Sequence, residues 1–199
     1  MLAAFATAVV LIWPGTADAN GDPASDYLLV DKVFLPFNAR PDSGSVKQLQ
    51  DLLNAAQKQR YPIRVAVIRR PNDLGTAFSL FNKPQRYAEF LGMELSFLYK
   101  ERLLVVMPEG FGYAVNGDPR PNVNQVLSNV PAPGDDATKE VDAAILAVER
   151  IAQSEGKTIS VSNDSATRDR LIIAAVVLAA LAFVAGVVVY RRRSAPPQT

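Results

Sequence analysis

Asp73 and Glu109 stand just beyond two short apolar runs, IRVAVIR at 63–69 and LLVVM at 103–107. Short β-branched runs of this kind suit strands buried on both faces. If they pair in parallel, their carboxyl ends form the crevice where open α/β sheets take ligands. Two carboxylates converging there would suit Ca2+ or Mg2+, hard cations that take oxygen ligands and need no histidine. Arg69 or Arg70 would be at hand as an anion partner. Both carboxylates are required, because one alone binds a divalent ion poorly. The same residues also make plain structure: Asn72, Asp73 and Gly75 favour turns, and Glu109 suits a solvated hairpin corner.

Other chemistry is excluded by composition. The chain has no histidine and no cysteine. Zinc centres, Ser-His-Asp triads and Cys-His dyads all need those side chains, as do disulfides. No catalytic residue is expected, and no cofactor other than the Ca2+ or Mg2+ that Asp73 and Glu109 could take. Ser154-Glu155-Gly156-Lys157 matches the S-x-x-K pattern of penicillin-recognising hydrolases, but it sits in a polar tether without the partner motifs, as a chance match would. Asn116-Gly117-Asp118 has the composition of a metal-binding loop, yet it also makes a good turn without any ion. Asn163-Asp164-Ser165 is a glycosylation sequon where the machinery exists. A net charge of +1 with scattered basic residues gives nucleic acid no electrostatic footprint.

These candidates need a frame to hold them. Residues 20–25 are polar and read as a flexible leader. Residues 27–37 (YLLVDKVFLPF) are apolar and β-leaning. Val46, Leu49, Leu52, Leu53 and Ala56 fall on one helical stripe, with Ser45 as the expected N-cap and Tyr61-Pro62 as the end. After the strand at 63–69 comes a polar stretch, 70–83, then a helix opened by Pro84 with Tyr87, Phe90, Leu91, Leu95 and Leu98 on its stripe. Phe78 and Phe81 lie in the polar stretch, where an apolar loop either meets a partner or bilayer or folds back over a sheet edge. The strand at 103–107 turns at 108–112 and returns over 113–116. Residues 117–134 hold four prolines and read as a long irregular connection. A third helix, opened by Asp135 or Asp136, carries Val141, Ala144, Ile145, Val148 and Ile151. The expected fold is an α/β, αβα sandwich around a small mixed, mainly parallel sheet.

The ends of the chain point to a membrane. Residues 171–190 form twenty positions without a charge, followed by Arg191, Arg192 and Arg193. That run is long enough to cross the roughly 30 Å hydrocarbon core as a helix, and the arginines favour the cytoplasmic side. Residues 2–12 are apolar but short, and Ala17-Asp18-Ala19 fits a signal-peptidase site, so 1–19 read as a signal peptide although no Lys or Arg precedes the apolar run. The expected organisation is a domain at 26–153, a linker at 154–169, a single transmembrane helix at 171–190 and a cytoplasmic tail at 191–199. The domain is then extracytoplasmic, on the cell membrane. A buried N-terminal helix, or a tail anchor with the domain in the cytoplasm, are the alternatives.

The succession YLLVDKVFLPF, helix, IRVAVIR, YAEFLGMELSFLY and LLVVMPEGFGYAVNG resembles a TPM domain. The likeness covers roughly 26–150 and includes the Gly110-Phe111-Gly112-Tyr113 return strand. Members often pair a signal peptide with a membrane helix after the domain. The resemblance implies an α/β sandwich, and phosphatase activity or calcium binding as known for some members. The chain departs from the pattern at Tyr99-Lys100-Glu101-Arg102, where members carry Asp-Gly or Asn-Gly, and Asp26 and Asp31 meet the acidic opening only loosely. The expected function is a membrane-anchored interaction or assembly module with a protein partner, non-catalytic, working through its sheet edge and loops. The alternatives are a weak metal-assisted phosphatase with Asp73 and Glu109 as metal ligands, or a ligand sensor.

Overall fold

Asp22 and Pro23 make the first element a helix, where residues 27–37 had predicted a strand. The computed structural model describes residues 21–161. Helix α1 spans Pro23–Val30, with the Asp22 side chain accepting a hydrogen bond from the Ala24 N–H and Pro23 in the first turn. An acidic cap followed by proline is a strong helix start. It overrides the β-leaning residues behind it, and burial of Ala24 and Leu28 on one face completes the case. Asp22 is itself buried against Tyr87, so 20–25 is no loose leader over its described part. Only Val33–Phe34 remain as strand β1.

Helix α2, Ser43–Lys58, is capped by Asp42 rather than Ser45, whose N–H donates to the Asp42 carboxylate. Leu49, Leu52, Leu53 and Ala56 are buried as their spacing predicts. Strand β2 is Ile63–Val67, and a kinked 3-10 segment covers Pro71–Leu80. Helix α3 is Pro84–Leu95 and strand β3 is Arg102–Met107. The helix stops short of Leu98, which is exposed. Strand β4, Gly110–Val115, returns at once, and β5, Asp118–Pro119, follows through Asn116 and Gly117, both at positive φ. That is the backbone an Asn-Gly hairpin turn demands, so this stretch is a turn. Helix α4, Pro121–Leu127, occupies the middle of the expected irregular connection. Its proline stands in the first turn, as Pro23 and Pro84 do, so proline here opens helices instead of preventing them. Helix α5, Ala137–Ser154, is capped by Asp136.

The strands form one five-stranded sheet in the order β1-β2-β3-β4-β5. The pairs β1–β2 and β2–β3 are parallel, joined through α2 and α3; β3–β4 and β4–β5 are antiparallel. The sheet is mixed, with its pairings evenly divided instead of mainly parallel. Both faces are covered. Leu104 and Val106 pack with Val65 and Val67 against α2, α4 and α5. Leu103, Val105 and Met107 face α1, the 3-10 segment and α3. Double coverage is why the LLVVM run has no polar alternation. The Gly-Phe-Gly motif has two separate causes: Gly110 makes the turn at φ 144°, and a Cβ on Gly112 would collide with the Pro84 carbonyl where α3 lies on the sheet.

The compact unit runs to Ile159, whose side chain packs against the first core. Ser154-Glu155-Gly156-Lys157 closes α5: Gly156 is at φ 71°, and the Lys157 N–H donates to the Ala152 carbonyl. The S-x-x-K match is thus a helix C-cap. No helix among the described residues is long and apolar enough to cross a membrane. The expected signal peptide at 1–19, span at 171–190 and tail at 191–199 and the Asn163 sequon lie outside the described residues, as does half of the expected linker, 162–169.

Candidate functional site

The carboxyl ends of β2 and β3 carry Asp73 and Glu109 as the runs predict, but their carboxylates have different settings. One oxygen of Asp73 accepts hydrogen bonds from the N–H groups of Arg69 (2.9 Å) and Arg70 (2.8 Å). It ties the chain leaving β2 into the 3-10 segment, a turn-building role. Glu109 is exposed at the β3–β4 corner beside a shallow hollow that also includes Phe111, Leu127 and Pro131. No hydrogen bond or ion pair joins the two. Among the described residues no cluster of three or more metal-ligating side chains could hold an ion. Phe81 packs on the second core while Phe78 stays exposed, which divides the pair expected to form one apolar loop.

What gathers at the end of β2 is instead an arginine with acids from α5. Arg69 Nε lies 2.9 Å from Glu140 Oε2, and Arg69 Nη2 donates to Asp135 Oδ1 at 2.6 Å. Glu140 is fully buried. The Nε–H is poorly aligned on Oε2, so the contact is an ion pair and both Glu140 oxygens lack a hydrogen bond. Burial pushes the Glu140 carboxyl up to about 7, with Arg69 opposing and Asp135 adding to the rise. A sequence signal existed: Glu140 shares a stripe with Ala144, Ala147, Val148 and Ile151, and an acid on an apolar stripe asks for a partner. Nothing local names Arg69 as that partner.

The opposite end of the sheet has a second such pair. Arg102, the first residue of β3, donates from Nε and Nη2 to Glu155 Oε2 at 3.1 and 2.9 Å and stacks over the Tyr61 ring. Tyr113 donates to the other Glu155 oxygen at 3.4 Å. Burial raises the Tyr61 hydroxyl to about 12, helped by the Glu155 charge. Its oxygen has no hydrogen-bond partner. None of these phenols is poised to act as a base or nucleophile near neutral pH.

The surface best built for recognition is the outer edge of β1. The Val65 N–H donates to the Lys32 carbonyl at 2.9 Å, and Val33 and Phe34 pair with Val65 and Ala66. Alternation along a parallel ladder turns the Val33 N–H and C=O away from β2, toward solvent. A groove of about 370 Å3 follows this edge, walled by Tyr27 and Asp31 of the α1 side and by Gln50 and Asn54 of α2, with Val33 and Leu35 as its floor. Tyr27 sets its ring edge against Phe34 and Phe37, 5.9 and 6.1 Å between centroids, and Phe37 is largely exposed. Lys32 Nζ donates to Asn54 Oδ1 at 2.9 Å across the groove and also borders the next hollow, beside Gln57 and Lys58. The other edge is closed differently. Strand β5 is two exposed residues, one acidic and one a proline, which blunts it against pairing.

Set against known proteins, the chain matches no family model, no curated protein and no solved structure.

Proposed function

We propose that this protein is a membrane-anchored, extracytoplasmic interaction module that takes an extended segment of a partner protein against β1, without catalysing a reaction. The observation that carries the reading is the unpaired outer edge of Val33 inside a groove floored by apolar side chains. An added strand would satisfy those main-chain groups, while alternate side chains meet the Tyr27–Phe37 aromatics. The anchor is supported by the charge-free run at 171–190 and its three arginines, and the outward placement by the apolar residues 2–12 with Ala17-Asp18-Ala19. The TPM likeness is supported by the order helix, strand, helix, strand, hairpin over α2 to β4.

The test is a displayed-peptide library panned on the full chain in detergent, followed by titration of the selected peptides. Val33→Pro deletes the outward donor and leaves the inward bonds of the edge strand. It should weaken a selected peptide about tenfold, the worth of one main-chain hydrogen bond, with the circular dichroism spectrum unchanged. Equal affinity for the proline variant would sink strand addition at this edge.

A further inference from the structure

Phe97 and Leu98 are 69% and 68% exposed in the turn between α3 and β3, and Val30 is 83% exposed at the end of α1. Large apolar side chains left out at one place mark a contact surface. All three sit where strands begin: Val30 shortly before β1, Phe97 and Leu98 shortly before β3. Pro62, Arg64 and Tyr99 line the hollow beside Val30, with the Arg64 guanidinium 4.0 Å from the centroid of the Tyr99 ring.

Two further observations say what covers this tip. The first is charge. Lys58 and Arg60 enter β2 at this end, Lys100 enters β3, and Lys157 follows α5; all four are exposed. The exposed carboxylates of Asp31, Glu101 and Asp118 offset them only in part, and Glu155 at the same end is already paired with Arg102. The second is the path of the chain. Helix α5 starts beside Arg69 at the carboxyl end of β2 and finishes beside Arg102 at the amino end of β3. Helix α5 therefore ends at the tip that carries Phe97 and Leu98, and Ile159 packs on the first core just beyond it. Residues 171–190 follow about a dozen positions later.

We infer that this tip rests on an anionic lipid surface, with Phe97 and Leu98 entering the interface and the surrounding cations meeting the headgroups. An apolar wedge with a basic rim is the composition that holds peripheral segments at a bilayer. A membrane segment at 171–190, about a dozen residues beyond Ile159, would hold the domain at high effective concentration near that surface. The opposite end, with Asp73, Glu109 and Glu140, then points away from lipid, and the β1 groove stays open at the side. The orientation rests on the anchor proposed above; the lipid contact does not.

Because the chain has no cysteine, Ser96→Cys and Ser128→Cys each accept one environment-sensitive fluorophore. The full chain would be placed in nanodiscs of phosphatidylglycerol and phosphatidylcholine carrying doxyl-labelled lipid. The label at 96 should shift to the blue and be quenched severalfold more than the label at 128, which sits by Glu109 at the far end. Phe97→Ser with Leu98→Ser should abolish that difference, and neutral lipid or high salt should shrink it. Equal quenching at both positions in a chain that resists alkaline carbonate extraction overturns the tip contact and leaves the anchor standing. Quenching at 96 in a chain that carbonate extracts supports the contact and overturns the anchor. Cross-linking of position 96 to a second copy without lipid quenching assigns the surface to self-association and overturns the inference.

Discussion

Helix α5 is held to the sheet at both ends by an arginine–glutamate pair of the same length, 2.9 Å between nitrogen and oxygen. The two pairs live in different solvents. At the start of the helix the Arg69 and Glu140 side chains are 15% and 0% exposed; at its end Arg102 and Glu155 are 23% and 27% exposed. Glu140 lies in the first helical turn, where the backbone favours a negative charge, and still burial drives its carboxyl upward. Glu155 sits at the unfavourable end and depends on Arg102, Tyr113 and water. Equal length therefore does not mean equal energy. Desolvation separates a pair that is expensive to break from one that is nearly indifferent.

The largest effect should come from breaking the sealed pair. Arg69→Met strands a buried carboxylate and should lower stability by roughly 3–5 kcal/mol above neutral pH. Adding Glu140→Met in the same chain should recover most of it, since apolar residues fill such a site well. Urea unfolding of the single and double variants checks both statements; a loss under about 1 kcal/mol for Arg69→Met would erase the contrast with an exposed pair.

Next comes pH. The folded Glu140 carboxyl titrates near 7 against an ordinary 4.5, so the native state keeps a proton that the unfolded chain has released. Its contribution is complete below 4.5 and is lost as pH rises through 7, on the order of 3 kcal/mol. Asp22 and Glu94, raised mainly by burial, act in the same direction. Glu140→Gln should flatten the fall in urea midpoint between pH 5 and pH 8. An unchanged slope would show that burial does not raise the Glu140 carboxyl.

The smallest effect belongs to the open pair. Arg102→Met should cost about 1 kcal/mol, since water takes over the hydrogen bonds of Glu155. The cost should shrink in 0.5 M salt, while that of Arg69→Met should not, because screening reaches exposed charges and spares buried ones (Debye length of about 10 Å at 0.1 M). Thermal melts at two salt concentrations decide it.

Much of this frame is legible before folding. The apolar stripes of α2 and α5, the buried runs of β2 and β3, and Pro84 at the start of α3 all announce themselves within a few residues. The first segment misleads because its β-leaning residues sit behind an Asp-Pro start, and a cap outweighs weak propensity once Leu28 finds the core. The Asn116-Gly117 turn was legible as one of two readings of that stretch, but the Pro121 helix was hidden by prolines that suggest irregularity in composition and serve as helix openers in place. Asp73 was correctly placed at a strand end, but its carboxylate binds its own backbone, an outcome set by the turn geometry after β2. The β1 groove had no local signature. It exists because α1 and α2 flank a strand too short to recruit another neighbour.

By itself the sequence determined the order from α2 through β2, α3, β3 and β4 and on to α5, the two-sided burial of the central strands and the exclusion of histidine and cysteine chemistry. Those depend on caps, turns and side-chain periodicity, which act over a few residues. Tertiary structure alone decided which acid meets which arginine, since the partners lie 66 residues apart for Arg69 with Asp135 and 53 for Arg102 with Glu155. It also decided which edge of the sheet stays open and which end carries the exposed Phe97 and Leu98. Such choices come from packing two faces of one sheet at once, where each contact is chosen by all the others.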